Sequence, residues 1–276
     1  MGYLLSHKSS TIACLYPLRK FSLDALVVIS KYMLKGSIEL GKATDRKDKI
    51  QHARLFKLAT FINKQVGVDM MHEMIKRKVK TMLEGRDPAH DFHHIMRIYK
   101  NAKLIGRREG TNMEILLPAV LLHDLVVYPK RSAKSSKSSD ESADLAENIL
   151  QIHGYPQDQI NQISYCIRAH SYSKGLVPAS LEGRILQDAD RLDALGAIGI
   201  ARTFSVGGSE NRTFYNANDP FCRSDRGLDD MQWTLDHFQT KLLKLKDLMH
   251  TRTAKKIAQE RTKFMMLFIR QLQKEI

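Results

Sequence analysis

Ile115-Leu116-Leu117-Pro118-Ala119-Val120-Leu121-Leu122-His123-Asp124 opens with eight apolar residues and closes on an imidazole and a carboxylate. The apolar part is too short to span a bilayer, which takes about 18 residues, and it lacks the alternation of a half-buried strand, so it reads as a buried helix. Successive helical side chains point about 100° apart, which sets His123 and Asp124 at the edge of a buried face. An ionised carboxylate there is costly unless it is paired or binds a metal. The same conflict recurs in Leu186-Gln187-Asp188-Ala189-Asp190-Arg191-Leu192-Asp193, where acidic groups interrupt a run that is apolar on one side.

Outward from these stretches the helical period prevails. Helices are expected over about 92–106, 114–127, 140–153, 156–170 and 181–205, with Gly106, Gly154-Tyr155-Pro156 and Pro178 as breaks. Pro118 falls in the first turn of its helix, where a missing N–H does little harm. Earlier, Ser22 is placed to cap a helix through Leu34, Ile50–Val66 forms an amphipathic helix stopped by Gly67, and a further helix spans about 70–83. The last part, Leu228 to Ile276, is helical with a break near Met249–Thr253. The expectation is an all-α protein, with an N-terminal helical extension over 1–66 and a helical core over 67–276. A β/α enzyme is disfavoured, because neither a βαβ unit nor a glycine-rich phosphate loop is present.

The chain of 276 residues can bury a core without staples, and 43% apolar with 27% charged residues is ordinary for a globular protein. Cys14, Cys166 and Cys222 are odd in number and form no Cys-x-x-Cys, so neither a disulfide framework nor a sulfur-ligated zinc is expected. The longest early apolar run, Ala25–Ile29, fits a core helix better than a signal peptide. A cytoplasmic protein with no membrane span is expected. Net charge is +14, and residues 1–85 carry 16 Lys/Arg against 7 Asp/Glu. Such a balance favours anionic partners, and nucleic acid is among them, but no aromatic residues interleave with Lys76-Arg77-Lys78 to make a single-strand groove.

Three segments carry candidate chemistry: Asp87 to Ile98 with His90, His93 and His94, Ala119 to Leu125, and Leu186 to Asp193. Together they supply imidazole nitrogens and carboxylate oxygens without sulfur. That donor set suits Mn²⁺, Mg²⁺, Co²⁺ or Fe²⁺ with open positions better than a closed structural zinc. Such an ion polarises a phosphoryl oxygen and acidifies water.

The order His, then His-Asp, then Asp resembles the HD superfamily of metal-dependent phosphohydrolases. The likeness rests on His-Asp-x-x-His-x-x-Arg-Ile at 90–98, Leu-Leu-His-Asp at 121–124 and the run Gln187 to Arg202. It extends through Arg168-Ala169-His170-Ser171 and Thr234 to Phe238, and the motifs look like those of stand-alone bacterial HD hydrolases that act on nucleotides. The resemblance implies an HD-domain helical bundle whose metal ligands fall on His94, His123, Asp124 and Asp190, with Asp188 as the alternative to Asp190. A divalent ion is implied, manganese first. Asp124, His170 and Arg97 take catalytic roles in this reading, and Lys130, Arg191, Asp193 and His237 meet substrate. Leu125-Val126-Val127-Tyr128 after the doublet departs from the alarmone-hydrolase branch, which carries an acidic pair there. His153 and His170 occupy the interval in which dinuclear branches place two further histidines.

The function implied is hydrolysis of a phosphoanhydride or phosphoester, first of all in a (deoxy)nucleoside triphosphate. The alternatives left open are a nucleoside monophosphatase or cyclic-nucleotide phosphodiesterase, a di-iron oxidoreductase on the same scaffold, and a non-enzymatic nucleotide- or nucleic-acid-binding regulator. Residues 1–66 lie outside the resemblance. Packing on the core, self-association as a homodimer and binding an acidic partner are all open for them.

Overall fold

The computed structural model describes residues 46–86, 90–128, 132 and 134–276. The helix expected over Ser22–Leu34 and the candidate Lys130 fall outside them. The regular elements among the described residues are helices, with no strand and a single isolated bridge between Thr213 and Trp233. None of their helices is long and apolar enough to cross a membrane.

Helix α1, Arg46–Met82, runs through Gly67 instead of stopping there. A mid-helix glycine costs about 1 kcal/mol relative to alanine, which weakens a helix without ending it. Compact units divide within α1, between Met74 and Ile75, and the unit Ile75–Ile276 holds everything described next.

Helix α2, Phe92–Glu109, starts where the Asp91 carboxylate accepts from the backbone N–H of His94, at 2.8 Å. It ends at Gly110, whose φ of 75° is the left-handed conformation that favours glycine. Its inner stripe is Ile95, Ile98, Ala102 and Ile105, spaced three or four residues apart and fully buried.

Helix α3, Met113–Leu122, is buried at every position from Ile115 to Leu122. It packs against α2 and against three later helices, α4 (Ser138–Ile152), α5 (Gln157–Ala169) and α6 (Leu181–Asp193). A helix enclosed in this way needs no polar face, which accounts for its composition. It is shorter than the expected 114–127, and Pro118 is its sixth residue, past the first turn. His123 and Asp124 therefore stand in the turn that follows. The reason lies in the backbone. Arg86 donates to the carbonyls of Asp124 and Leu125, and Val126 donates its N–H to Ser142 Oγ, so these groups are bound outside any helical ladder.

The expected long helix over 181–205 is two helices, α6 and α7 (Gly196–Ser209). Leu195 is extended and Gly196 takes φ 74°, which ends the helical run at a point the apolar period does not mark. Two more follow, α8 (Asp236–Thr240) and α9 (Arg252–Glu275), and Thr251 Oγ1 caps α9 close to the expected break.

Candidate metal centre

Four helix ends converge. His94 sits in the first turn of α2, His123 and Asp124 directly follow α3, His170 directly follows α5, and Asp190 lies in the last turn of α6. Each imidazole is held by its Nδ1. His94 donates to Asp193 Oδ2 at 2.7 Å, His123 to the Val120 carbonyl at 2.8 Å, and His170 to the Ile167 carbonyl at 2.6 Å. Fixing Nδ1–H in this way leaves Nε2 with its lone pair outward on all three rings, the tautomer a metal ligand needs.

The three Nε2 atoms face the Asp124 carboxylate. Asp124 Oδ2 is 3.7 Å from His94 Nε2 and 3.5 Å from His123 Nε2, and Asp124 Oδ1 is 3.3 Å from His170 Nε2. Asp190 Oδ1 is 3.9 Å from His94 Nε2. Two overlapping sets, His94 with His123 and Asp190, and His123 with Asp124 and His170, each bring their ligand atoms within 4.8 Å of one another.

The electrostatics fit a cation. Burial depresses the His123 imidazolium, so this ring stays neutral. Burial also opposes ionisation of Asp124, but the imidazoles of His123, His170 and His94 outweigh it and hold the carboxyl well below the ordinary carboxylate range. His94 and His170 are buried too, and hydrogen bonding to Asp124 raises both nonetheless. The sharpest sign is His123 Nε2, fully buried and without a hydrogen-bond partner among the described residues. An orphaned acceptor in a polar cluster is a standing cost that a bound cation removes. The nitrogen and oxygen donors match a divalent ion.

Behind His94, the Asp193 carboxylate accepts from Arg97 at 2.8 and 3.0 Å and from Arg202 at 3.0 Å, besides His94. It is 1% exposed. Asp193, expected to meet substrate, is thus held behind His94, and Arg97, expected to act in catalysis, turns two of its nitrogens toward Asp193. Asp188 is also fully buried, and its oxygens accept from the backbone N–H groups of His250 and Thr251 and from Thr251 Oγ1. It anchors the start of α9, whereas Asp190 joins the histidines. Arg191 donates to the Leu248 carbonyl and faces His250 Nε2 at 3.1 Å. His237 donates from Nδ1 to Asp230 Oδ2 at 2.6 Å. His153 caps the end of α4 and belongs to neither ligand set. Sequence reasoning passed over Arg86 and the His250-Thr251 pair. All three bond to partners distant in the chain, for which a linear pattern carries no signal.

The sequence profile of the HD domain family matches residues 91–195, a span that holds all of these cluster residues. The uncharacterized protein YpgQ of Bacillus subtilis is 35% identical over 208 residues, covering 74% of this chain and 93% of its own length. This chain belongs to the HD domain family. Its relatives include an HD-superfamily hydrolase of Bacillus thuringiensis, whose crystal structure aligns with TM-score 0.57 at 35% identity over 75% of this chain and 97% of that one. The crystal structure of B. subtilis YpgQ in complex with ADP aligns with TM-score 0.59 at 33% identity, over 76% of this chain and 97% of the other.

Proposed function

We propose that the chain is a divalent-metal-dependent phosphohydrolase acting on a nucleotide, with a (deoxy)nucleoside triphosphate as the first substrate to test. The observation that carries this reading is the convergence of three Nδ1-anchored imidazoles on the carboxylates of Asp124 and Asp190, with His123 Nε2 otherwise orphaned. The nucleotide is supported by the ADP held by YpgQ.

His94, His123, Asp124 and Asp190 would hold the ion, with manganese preferred and magnesium, cobalt or iron compatible with the same donors. When bound, it supplies Lewis acidity toward a phosphoryl oxygen and acidifies water. The chain's own residues do the rest. Asp124, kept ionised by its imidazole neighbours, orients the attacking water and accepts its proton. His170, whose Nε2 lies 3.3 Å from Asp124 Oδ1, stands beside the attack site and, when protonated there, gives its proton to the leaving oxygen. Asp193 holds the His94 ring in position and anchors Arg97 and Arg202, so its role is positioning. The cluster lies within the Ile75–Ile276 unit.

The test is metal analysis of the purified protein, followed by a nucleotide panel with Mn²⁺, Mg²⁺ or Co²⁺ added. His123→Ala and Asp124→Ala are each expected to abolish turnover and to lower the metal content. Near-normal rates in both variants overturn the reading.

A further inference from the structure

His170 directly follows α5, and the chain beyond it gains little from burial. Tyr172, Leu176 and Val177 are large, apolar and exposed, so hydrogen bonds rather than packing hold this stretch in place. The carbonyls of the two residues before His170 are each taken by a side chain from further along the chain. Lys174 Nζ donates to the Arg168 carbonyl at 3.1 Å and to Asp140 Oδ1 of α4 at 2.6 Å. Gln187 Nε2 donates at 2.8 Å to the Ala169 carbonyl, which belongs to the peptide group that joins His170 to α5.

Gln187 is fully buried, and both sides of its amide are engaged. Its Nε2 also donates to the Leu176 carbonyl at 2.8 Å, so one amide closes both ends of the stretch that carries His170. Its Oε1 accepts from His250 Nε2 at 2.7 Å, next to the residue that caps α9. Carbonyls only accept, so the amide nitrogen has to face the two of them, and the orientation of the side chain is fixed. Gln187 also lies in α6 three residues before Asp190, on the same side of the helix. One side chain thus ties the backbone at His170 to the helix that carries Asp190. His170 Nε2 lies 3.3 Å from Asp124 Oδ1, and a misplacement of about 1 Å at such a position costs about a hundredfold in rate.

We infer that Gln187, assisted by Lys174, is a positioning residue for His170, fixing the backbone that enters it so that its Nε2 stands beside Asp124. The inference rests on the phosphohydrolase reading above, in which His170 protonates the leaving oxygen. Its test compares turnover of the phenyl and p-nitrophenyl esters of thymidine 5′-monophosphate by the manganese-loaded full chain. Phenolate needs a proton to leave, whereas p-nitrophenolate leaves without one. His170→Ala is the reference and is expected to lose about a hundredfold or more in kcat on the phenyl ester alone. Gln187→Met is expected to lose about ten- to a hundredfold in kcat on the phenyl ester and less than about threefold on the p-nitrophenyl ester, with KM and manganese content retained. Lys174→Met, a change near the surface, is expected to show the same selective loss at about two- to fivefold. In crystals of the metal-free Gln187→Met protein, His170 Nε2 is expected to stand about 1 Å further from Asp124 Oδ1.

Equal losses on the two esters in Gln187→Met, while His170→Ala still tells them apart, overturn the inference and leave the hydrolase reading intact. An unmoved His170 in the variant crystals does the same. If Gln187→Met does not fold, Lys174→Met decides by the same kinetic and crystallographic criteria. A His170→Ala variant that treats the esters alike removes the proton-donor role and the inference with it. Wild-type protein that turns over neither ester nor a nucleoside triphosphate sinks the hydrolase reading, and the variant crystals then decide the positioning role by themselves.

Discussion

His94 donates from Nδ1 to Asp193 Oδ2 across 2.7 Å, although 99 positions of chain separate the two residues. The same carboxylate accepts from Arg97 and Arg202, so one buried group ties α2 to the end of α6 and α7. Asp193→Asn keeps the shape but turns an amide NH₂ toward three donors. Metal affinity is expected to fall about ten- to a hundredfold, the usual consequence of disturbing a ligand's supporting partner. Calorimetric manganese binding to a folded variant checks this, and affinity equal to wild type would show that the His94 ring is oriented by something else.

Asp188 and Asp190 are expected to fail differently. Asp188→Ala strips the start of α9 of an acceptor for two backbone N–H groups and a hydroxyl, and should cost about 2 kcal/mol or more of stability. Asp190→Asn changes a half-exposed carboxylate, so thermal stability of the metal-free protein should hold while manganese binding weakens strongly. Denaturant melts with paired metal titrations separate the two. A reversal of these phenotypes would mean that the roles of the two aspartates have been exchanged.

Manganese binding is expected to tighten as pH rises above 6.5. Burial works against the imidazolium of His94, but hydrogen bonds to Asp124 and Asp193 raise it above its ordinary value near 6.5, so a proton competes with the cation on this ligand. The sign for the metal-free fold is opposite. Stability from the raised His94 and His170 is fully present below pH 6.5 and lost as pH climbs through their folded-state values. Titrations in two buffers of different ionisation enthalpy should reveal proton release on binding, and a pH-independent affinity would contradict it.

Cys166 should resist alkylation in the native protein. Burial pushes its thiol up to about 11 in spite of its contact with Ser180, so little thiolate exists near pH 8. Cys222 is half-buried and should react more than about tenfold faster. Site-resolved mass spectrometry after brief iodoacetamide treatment gives both rates, and comparable rates would indicate that the α5 region opens readily.

Much of the architecture was readable from local pattern. The helical period of α2 is written in Ile95, Ile98, Ala102 and Ile105, and the enclosed position of α3 in its unbroken apolar run. Where the reading slipped, at Gly67, at the end of α3 and at Gly196, the outcome turned on partners far along the chain or on a single backbone angle. Arg86 drawing the carbonyls of Asp124 and Leu125 out of the helical ladder is one such case.

The sequence by itself determined a helical protein and the chemical kinds of donor it carries at positions 94, 123, 124, 170 and 190, because side-chain chemistry and the 3.6-residue period are local properties. Only the tertiary structure decided which way those donors turn. Asp188 and Asp190 are two residues apart, so a helix points them to nearly opposite sides, and nothing short of knowing which side meets α2 and α3 can tell the anchor of α9 from the neighbour of His94. Asp193 faces inward for the same reason: its direction is set by where Arg97 and Arg202 stand, and their distance in sequence hides it from any linear pattern.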